Sequence, residues 1–183
     1  MIKEVRISGT GGQGVILAGL VLAEAAGIYE DKPVVQVQDY GGAVRGGAVR
    51  SEVLIASESQ EEIMFPAVEK ADILVALSQQ AANKWTEGVK EDGCIIYDIT
   101  SVREVPVSSA RIYTIPITEA TKKQFGSELG LNIVAVGALC AVTGIVSREA
   151  LNWAVLQRAP RGTGEYNKEA LELGFSLGDG FGG

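Results

Sequence analysis

Two glycine-rich segments hold the residues whose types and spacing suit chemistry. The first is Gly9-Thr10-Gly11-Gly12-Gln13-Gly14, which follows a β-branched run and precedes an apolar helical stretch. Glycines in such a turn permit positive φ and close approach of a phosphate. The helix N-terminus beyond it offers unpaired N–H groups and a partial positive charge. Asp39 falls at the end of the second expected strand, where an acid for a ribose hydroxyl belongs in a dinucleotide fold. Three readings of the turn stay open: a dinucleotide pyrophosphate, another anionic ligand, or tight packing against a strand or a neighbouring subunit. In the second segment, Gln38 to Ala48, Arg45 is flanked by Gly41, Gly42, Gly46 and Gly47. A guanidinium there suits bidentate capture of a phosphate or carboxylate, or a local pair with Asp39 across a bend. Both segments are expected beyond strand C-termini, where open α/β sheets bind ligands, so they are read as walls of one crevice.

Further polar candidates are fewer. Asn132 precedes an apolar helix and reads as its N-cap, with an amide able to face the glycine turn. Ser78-Gln79-Gln80 either cap a helix or reach the same crevice, and Asp98 reads as a solvated carboxylate at a strand end. Trp85 and Trp153 read as packing residues, an exposed one pointing to a subunit interface. The inventory excludes much. The 183 residues contain no histidine, the commonest general base and transition-metal ligand. Cys94 and Cys140 are far apart, and two thiolates do not ligate an iron–sulfur cluster or complete a zinc site. Both are expected as buried thiols. No residue is assigned as catalytic or as a metal ligand. The net charge of −7 argues against nucleic acid and anionic membranes.

The elements that must place these residues alternate strand and helix. Strands are expected at 3–8, 34–37, 49–57, 73–77, 94–97 and 112–115. The 49–57 stretch alternates polar and apolar residues and reads as a half-exposed strand, antiparallel at a sheet edge. Helices are expected at 13–28, 79–88, 118–125, 132–143, 148–157 and 167–177, with Ser147 capping the fifth. The first is apolar on every side and reads as needing cover from a partner. The expected architecture is α/β, a single domain over 1–183 built on a doubly wound, mainly parallel sheet with helices on both faces. A frayed tail is expected from about 178. Charges inside the first apolar run argue against a signal peptide, and a cytoplasmic location is expected.

Several stretches in this order carry a resemblance: GTGGQGVILAG, QDYGGAVRGGAVRSEVLI, ADILVALSQQA, LNIVAVGAL and VTGIVSREAL. Over about residues 3–175 the chain resembles the gamma subunit of 2-oxoacid:ferredoxin oxidoreductases, nearest to the 2-oxoglutarate type. It departs at Gly42-Ala43-Val44, where relatives tend to carry a proline and an acid before the arginine. The resemblance implies a multisubunit complex that decarboxylates a 2-oxoacid to an acyl-CoA and reduces ferredoxin. It places thiamine diphosphate on partner alpha and beta subunits and iron–sulfur clusters on cluster-binding parts of partner subunits, with delta as an optional fourth, and makes coenzyme A a cosubstrate. Gly9, Gly11, Gly12, Gln13, Gly14, Arg45, Gly46, Gly47 and Asn132 would then line the coenzyme A region or an intersubunit contact. The chain would be inactive alone, and self-association when isolated is compatible with this reading. An NAD(P)-binding, Rossmann-like module and a purely structural interaction subunit are the alternatives.

Overall fold

The computed structural model describes residues 1–39, 47–58, 62–65 and 67–181. Six strands form one sheet: β1 Ile2–Thr10, β2 Val34–Asp39, β3 Ala48–Ala56, β4 Ala71–Ala76, β5 Val89–Asp98 and β6 Arg111–Ile115. Their order is β2-β3-β1-β4-β5-β6. β1, β4, β5 and β6 run parallel, while β3 is antiparallel to both β1 and β2. The expected edge strand at 49–57 is therefore interior, and β2 takes the edge. The polar residues Arg50 and Glu52 of β3 belong to a charge cluster under the sheet, not to a solvent face.

Six helices complete the fold: α1 Val15–Glu24, α2 Gln79–Trp85, α3 Ile117–Phe125, α4 Leu131–Thr143, α5 Arg148–Arg158 and α6 Gly164–Asp179. Residues of α1, α4, α5 and α6 pack with Val5, Ile7, Val53, Ile55, Val75 and Ile96 in the main core. On the opposite face, Ala81 and Ala82 of α2 close over Leu74, Ala76, Ile95 and Tyr97. Helices thus cover both faces, unequally.

α1 starts at Val15 and ends in a π turn over Ala25–Tyr29. Its apolar circumference is covered by its own chain: β3 lies beneath it and α4 and α5 flank it. Gly19 sits directly over Ser51, closer than a side chain would allow. Leu17 is its one exposed large apolar residue, so the helix does not need a partner to bury its surface. α4 is apolar all round because the sheet, α1 and α6 enclose it. Its crossing with α6 is a backbone contact. A Cβ on Gly174 would lie 2.9 Å from the Gly137 Cα and 3.0 Å from the Ala138 nitrogen, with the Val134 carbonyl closer still. α6 runs to Asp179 and the Phe181 ring meets Tyr113 edge-on at 6.3 Å, so packing reaches past residue 178.

The N-terminal edge of the sheet is tied by Asp72. Its carboxylate accepts from the Glu4 N–H at 2.8 Å, Lys90 Nζ at 2.9 Å and Lys3 Nζ at 3.4 Å. Burial pushes this carboxyl up, but those donors together outweigh it and hold its pKa below the ordinary 3.8. A depressed folded pKa adds stability above the unfolded value that is lost as pH falls through the folded one. Asp72→Asn is therefore expected to lower the urea midpoint at neutral pH and to flatten its decline below pH 3.8.

Candidate functional site

β1 ends at Thr10 and α1 starts at Val15, so the chain reverses within four residues. Two of these need left-handed backbone: Gly12 has φ 96° and Gly14 has φ 70°. The other glycines divide by what surrounds them. Gly9 is buried, and a Cβ there would strike the Gln13 side-chain oxygen. A Cβ on Gly14 would lie 2.8 Å from Asn132 Cγ. Gly11 and Gly12 are exposed, and among the described residues a Cβ on either meets nothing within 4 Å. Internal packing thus accounts for Gly9 and Gly14, backbone conformation for Gly12, and neither for Gly11.

Gln13 fastens the turn. Its Oε1 accepts from the Thr10 N–H at 2.7 Å and its Nε2 donates to the Leu77 carbonyl at 2.9 Å. Leu77 N–H in turn donates to the Ser8 carbonyl at 2.8 Å, which draws the ends of β1 and β4 together. Both ends of the Gln13 amide are engaged inside the fold. Its side chain is a staple for the turn.

Asn132 is the second residue of α4, not its N-cap. That place is taken by Gly130 in left-handed conformation, φ 85°. One residue into the helix, the Asn132 side chain lies against Gly14, so the N-termini of α1 and α4 converge there. Neither helix has a side-chain cap or an acidic residue in its first turn. Two positive dipole ends thus meet with no carboxylate from those turns to offset them.

Gly47 stands immediately before β3, whose first residue Ala48 pairs with Thr10. The exit of the second glycine segment therefore adjoins the glycine turn. Arg45 and Gly46 lie outside the described residues. Asp39 does not serve as a ribose acid beside β1. β3 intervenes, placing β2 about 10 Å from β1 at ordinary strand spacing. Its carboxylate instead pairs with Arg50 at 3.3 Å.

Ser78 accepts from the Ala81 N–H at 3.2 Å and is the cap of α2. Gln79 accepts from the Arg103 and Glu104 N–H groups and holds that loop. Gln80 is exposed. Asp98 overturns the solvated reading: it is fully buried at the end of β5. It accepts from Thr118 Oγ1 at 2.5 Å, Thr118 N–H at 3.2 Å and Ser101 Oγ at 3.0 Å, and so fixes the start of α3. The hydroxyl residues Thr100 and Ser101 just after an aspartate were the available signal for this turn.

A charged cluster on the α2 face was not foreseen. Arg6 Nε donates to Glu52 Oε1 at 2.7 Å, and Arg6 Nη2 to the Val68 carbonyl at 2.9 Å, with both side chains buried. Arg6, Arg50 and Lys84 place their cations 4.7, 4.3 and 4.6 Å from the Trp85 ring. Trp85 is thus a stacking platform for cations, while Trp153 on α5 is half exposed. The signal available for the cluster was opposite charges in the middles of two strands.

Cys140 is buried and donates to the Val146 carbonyl, and Cys94 is half-buried in β5. Burial pushes both thiols up to about 11, so neither is a ready thiolate at neutral pH. Among the described residues no helix is long and apolar enough to cross a membrane.

A family model described as pyruvate ferredoxin/flavodoxin oxidoreductase matches residues 4–177. The chain is 44% identical to the 2-oxoglutarate synthase subunit KorC of Methanocaldococcus jannaschii, over 97% of this chain and 94% of that protein. Its fold is similar to the crystal structure of a keto/oxoacid ferredoxin oxidoreductase gamma subunit from Geobacter sulfurreducens. That match has a TM-score of 0.87 and 41% identity, and covers 97% of each chain. A pyruvate oxidoreductase subunit PORC from Thermotoga maritima matches with a TM-score of 0.80 and 28% identity over 96% of each chain.

Proposed function

The chain belongs to the pyruvate ferredoxin/flavodoxin oxidoreductase family, and from that premise we propose that it is the gamma subunit of a 2-oxoglutarate:ferredoxin oxidoreductase. The carrying observation is the 44% identity to a 2-oxoglutarate synthase subunit along 97% of the chain. The complex, completed by alpha and beta partners, would decarboxylate the 2-oxoacid, transfer the acyl group to coenzyme A and pass electrons to ferredoxin through iron–sulfur clusters on partner subunits.

The cysteines of this chain do not suit an iron–sulfur cluster, and thiamine diphosphate is assigned in this reading to partner subunits. Its two cysteines sit on separate elements as high-pKa thiols, and it has no histidine. Among the described residues no group of three or more cysteine or carboxylate side chains is placed to hold a metal. Its own part is to supply backbone donors. Gly11 and Gly12 present an open apex, and the paired helix ends at Gly14 and Asn132 favour negative charge there. The pyrophosphate of coenzyme A, approaching from a partner subunit, suits that apex, with Gly47 beside it at the start of β3. The NAD(P) reading is disfavoured by the engagement of Asp39 with Arg50 beyond an intervening strand.

The test is reconstitution. The purified chain alone should give no 2-oxoglutarate-dependent dye reduction, and activity should appear when it is co-expressed with alpha and beta partners. Gly11→Ala should leave the melting temperature within about 1 °C, because its Cβ meets nothing within 4 Å among the described residues. In the complex it should raise the KM for coenzyme A about tenfold or more with little change in kcat. An unchanged KM would remove the turn from the coenzyme A site, and activity from the isolated chain would overturn the subunit assignment.

A further inference from the structure

We propose that this chain carries a second binding site, for a zwitterionic α-amino acid with an aliphatic side chain, at the end of the sheet opposite the glycine turn. The inference is independent of the assigned activity. The site is a cavity of about 270 Å³ between the N-terminal ends of the parallel strands and the C-terminal end of α4. Val5, Ile73, Cys94 and Arg111 stand level across β1, β4, β5 and β6. Ile73, Val142 and Ile145 give the cavity apolar walls, and Asp92, Arg111 and Tyr113 give it polar ones. A bulge shapes it. Ala71 pairs with Val89 yet Ile73 pairs with Cys94, so β5 has extra residues there, and Asp92 and Gly93 enter the lining. Bulges re-aim side chains and gather beside functional sites. This one is tightly folded: a Cβ on Gly93 would lie 2.7 Å from the Asp72 carbonyl oxygen and 2.9 Å from that of Lys90.

Charge selects the ligand. The charged side chains at the cavity are Lys3, Asp72, Asp92 and Arg111. Lys3 and Asp72 are already neutralised: both Lys3 and Lys90 pair with Asp72, and Lys90 also pairs with Glu4 at 3.1 Å. Arg111 and Asp92 remain. Among the described residues neither has an ion-pair partner, and they do not pair with each other, although Arg111 stands level with Cys94, two residues from Asp92. Arg111 donates to Tyr113 Oη at 3.3 Å, which leaves the phenol's own proton free to donate. An unpaired cation and an unpaired anion bordering one cavity suit a molecule that carries both charges. Arg111 and the Tyr113 hydroxyl take its carboxylate. Asp92 takes its ammonium, helped by the negative dipole end of α4 at Thr143. The aliphatic side chain lies against Ile73, Val142 and Ile145. At ~30 Å³ for each water displaced, 270 Å³ accommodates roughly nine heavy atoms, the size of leucine.

Calorimetric titration of the full chain with L-leucine should saturate with a Kd of about 1 mM or tighter. Isocaproate, which lacks the ammonium, and isoamylamine, which lacks the carboxylate, should each bind at least about tenfold more weakly. These two compounds test the charge requirement on the unaltered chain. Asp92→Asn should reduce the affinity for leucine to that for isocaproate, and Arg111→Gln should reduce it to that for isoamylamine. Both side chains are exposed, so each variant should keep its melting temperature within about 1 °C. No saturable binding of leucine below roughly 20 mM would overturn the proposal. So would isocaproate binding as tightly as leucine, which would make this an anion site only, or leucine binding unchanged in either variant.

Discussion

Replacing Gly174 with alanine is expected to cost about 3 kcal/mol or more, although alanine is the better helix former by ~1 kcal/mol. The reason is geometric. The new Cβ would sit 2.9 Å from the Gly137 Cα and 3.0 Å from the Ala138 nitrogen, with the Val134 carbonyl nearer. None of these is the far end of a flexible side chain, so α6 must move bodily away from α4. That crossing buries Val134, Ala138, Leu171 and Phe175 together, and separating the helices loosens the main core. For a chain of this size the melting temperature should fall roughly 6–12 °C, read by circular dichroism. Gly180→Ala is the control: its Cβ would meet one carbonyl at 3.6 Å, an ordinary contact, and the melt should be unchanged.

Glu52→Ala should cost about 3–5 kcal/mol, because it strands a buried guanidinium. Arg6 is 3% exposed and would keep only the Val68 carbonyl and the face of Trp85. Arg50, which touches the same Glu52 oxygen at 3.5 Å, retains Asp39 and is harmed less. The double variant Arg6→Met with Glu52→Leu should regain most of the loss, since apolar replacement of a buried pair is often neutral. Chemical denaturation of both variants checks this. A double variant as weak as the single one would mean that the cost lies in packing around Trp85 and not in the charge.

These two sites also mark where the sequence was legible and where it was not. The strand–glycine–helix order around Gly9 to Gly14 was readable because each step has a local cause, and Ser78 and Ser147 were readable as caps for the same reason. The nearness of Asn132 to Gly14 followed from two helices starting at the same end of a sheet. β3 was misplaced at an edge because Arg50 and Glu52 give it the alternation of a half-exposed strand. Only pairing with Arg6, 46 residues away, turns those charges inward. Asp98 was misread likewise, since its donors Thr118 and Ser101 are brought to it by the fold. The apolar girth of α1 pointed to an external partner because periodicity does not tell which chain supplies the cover.

The position of β1 has a temporal consequence. Of the six strands described it is synthesised before the others, yet it lies inside the sheet, hydrogen-bonded to β3 and β4. Its partners are residues 48–56 and 71–76, so Val5 and Ile7 emerge from the ribosome before either partner strand. At ~5–20 residues per second the wait for Ala76 is roughly 4–15 s, longer once the exit tunnel is counted. During that interval β1 lacks both strands it pairs with in the folded chain, and unpaired strand edges of this kind are prone to misassembly.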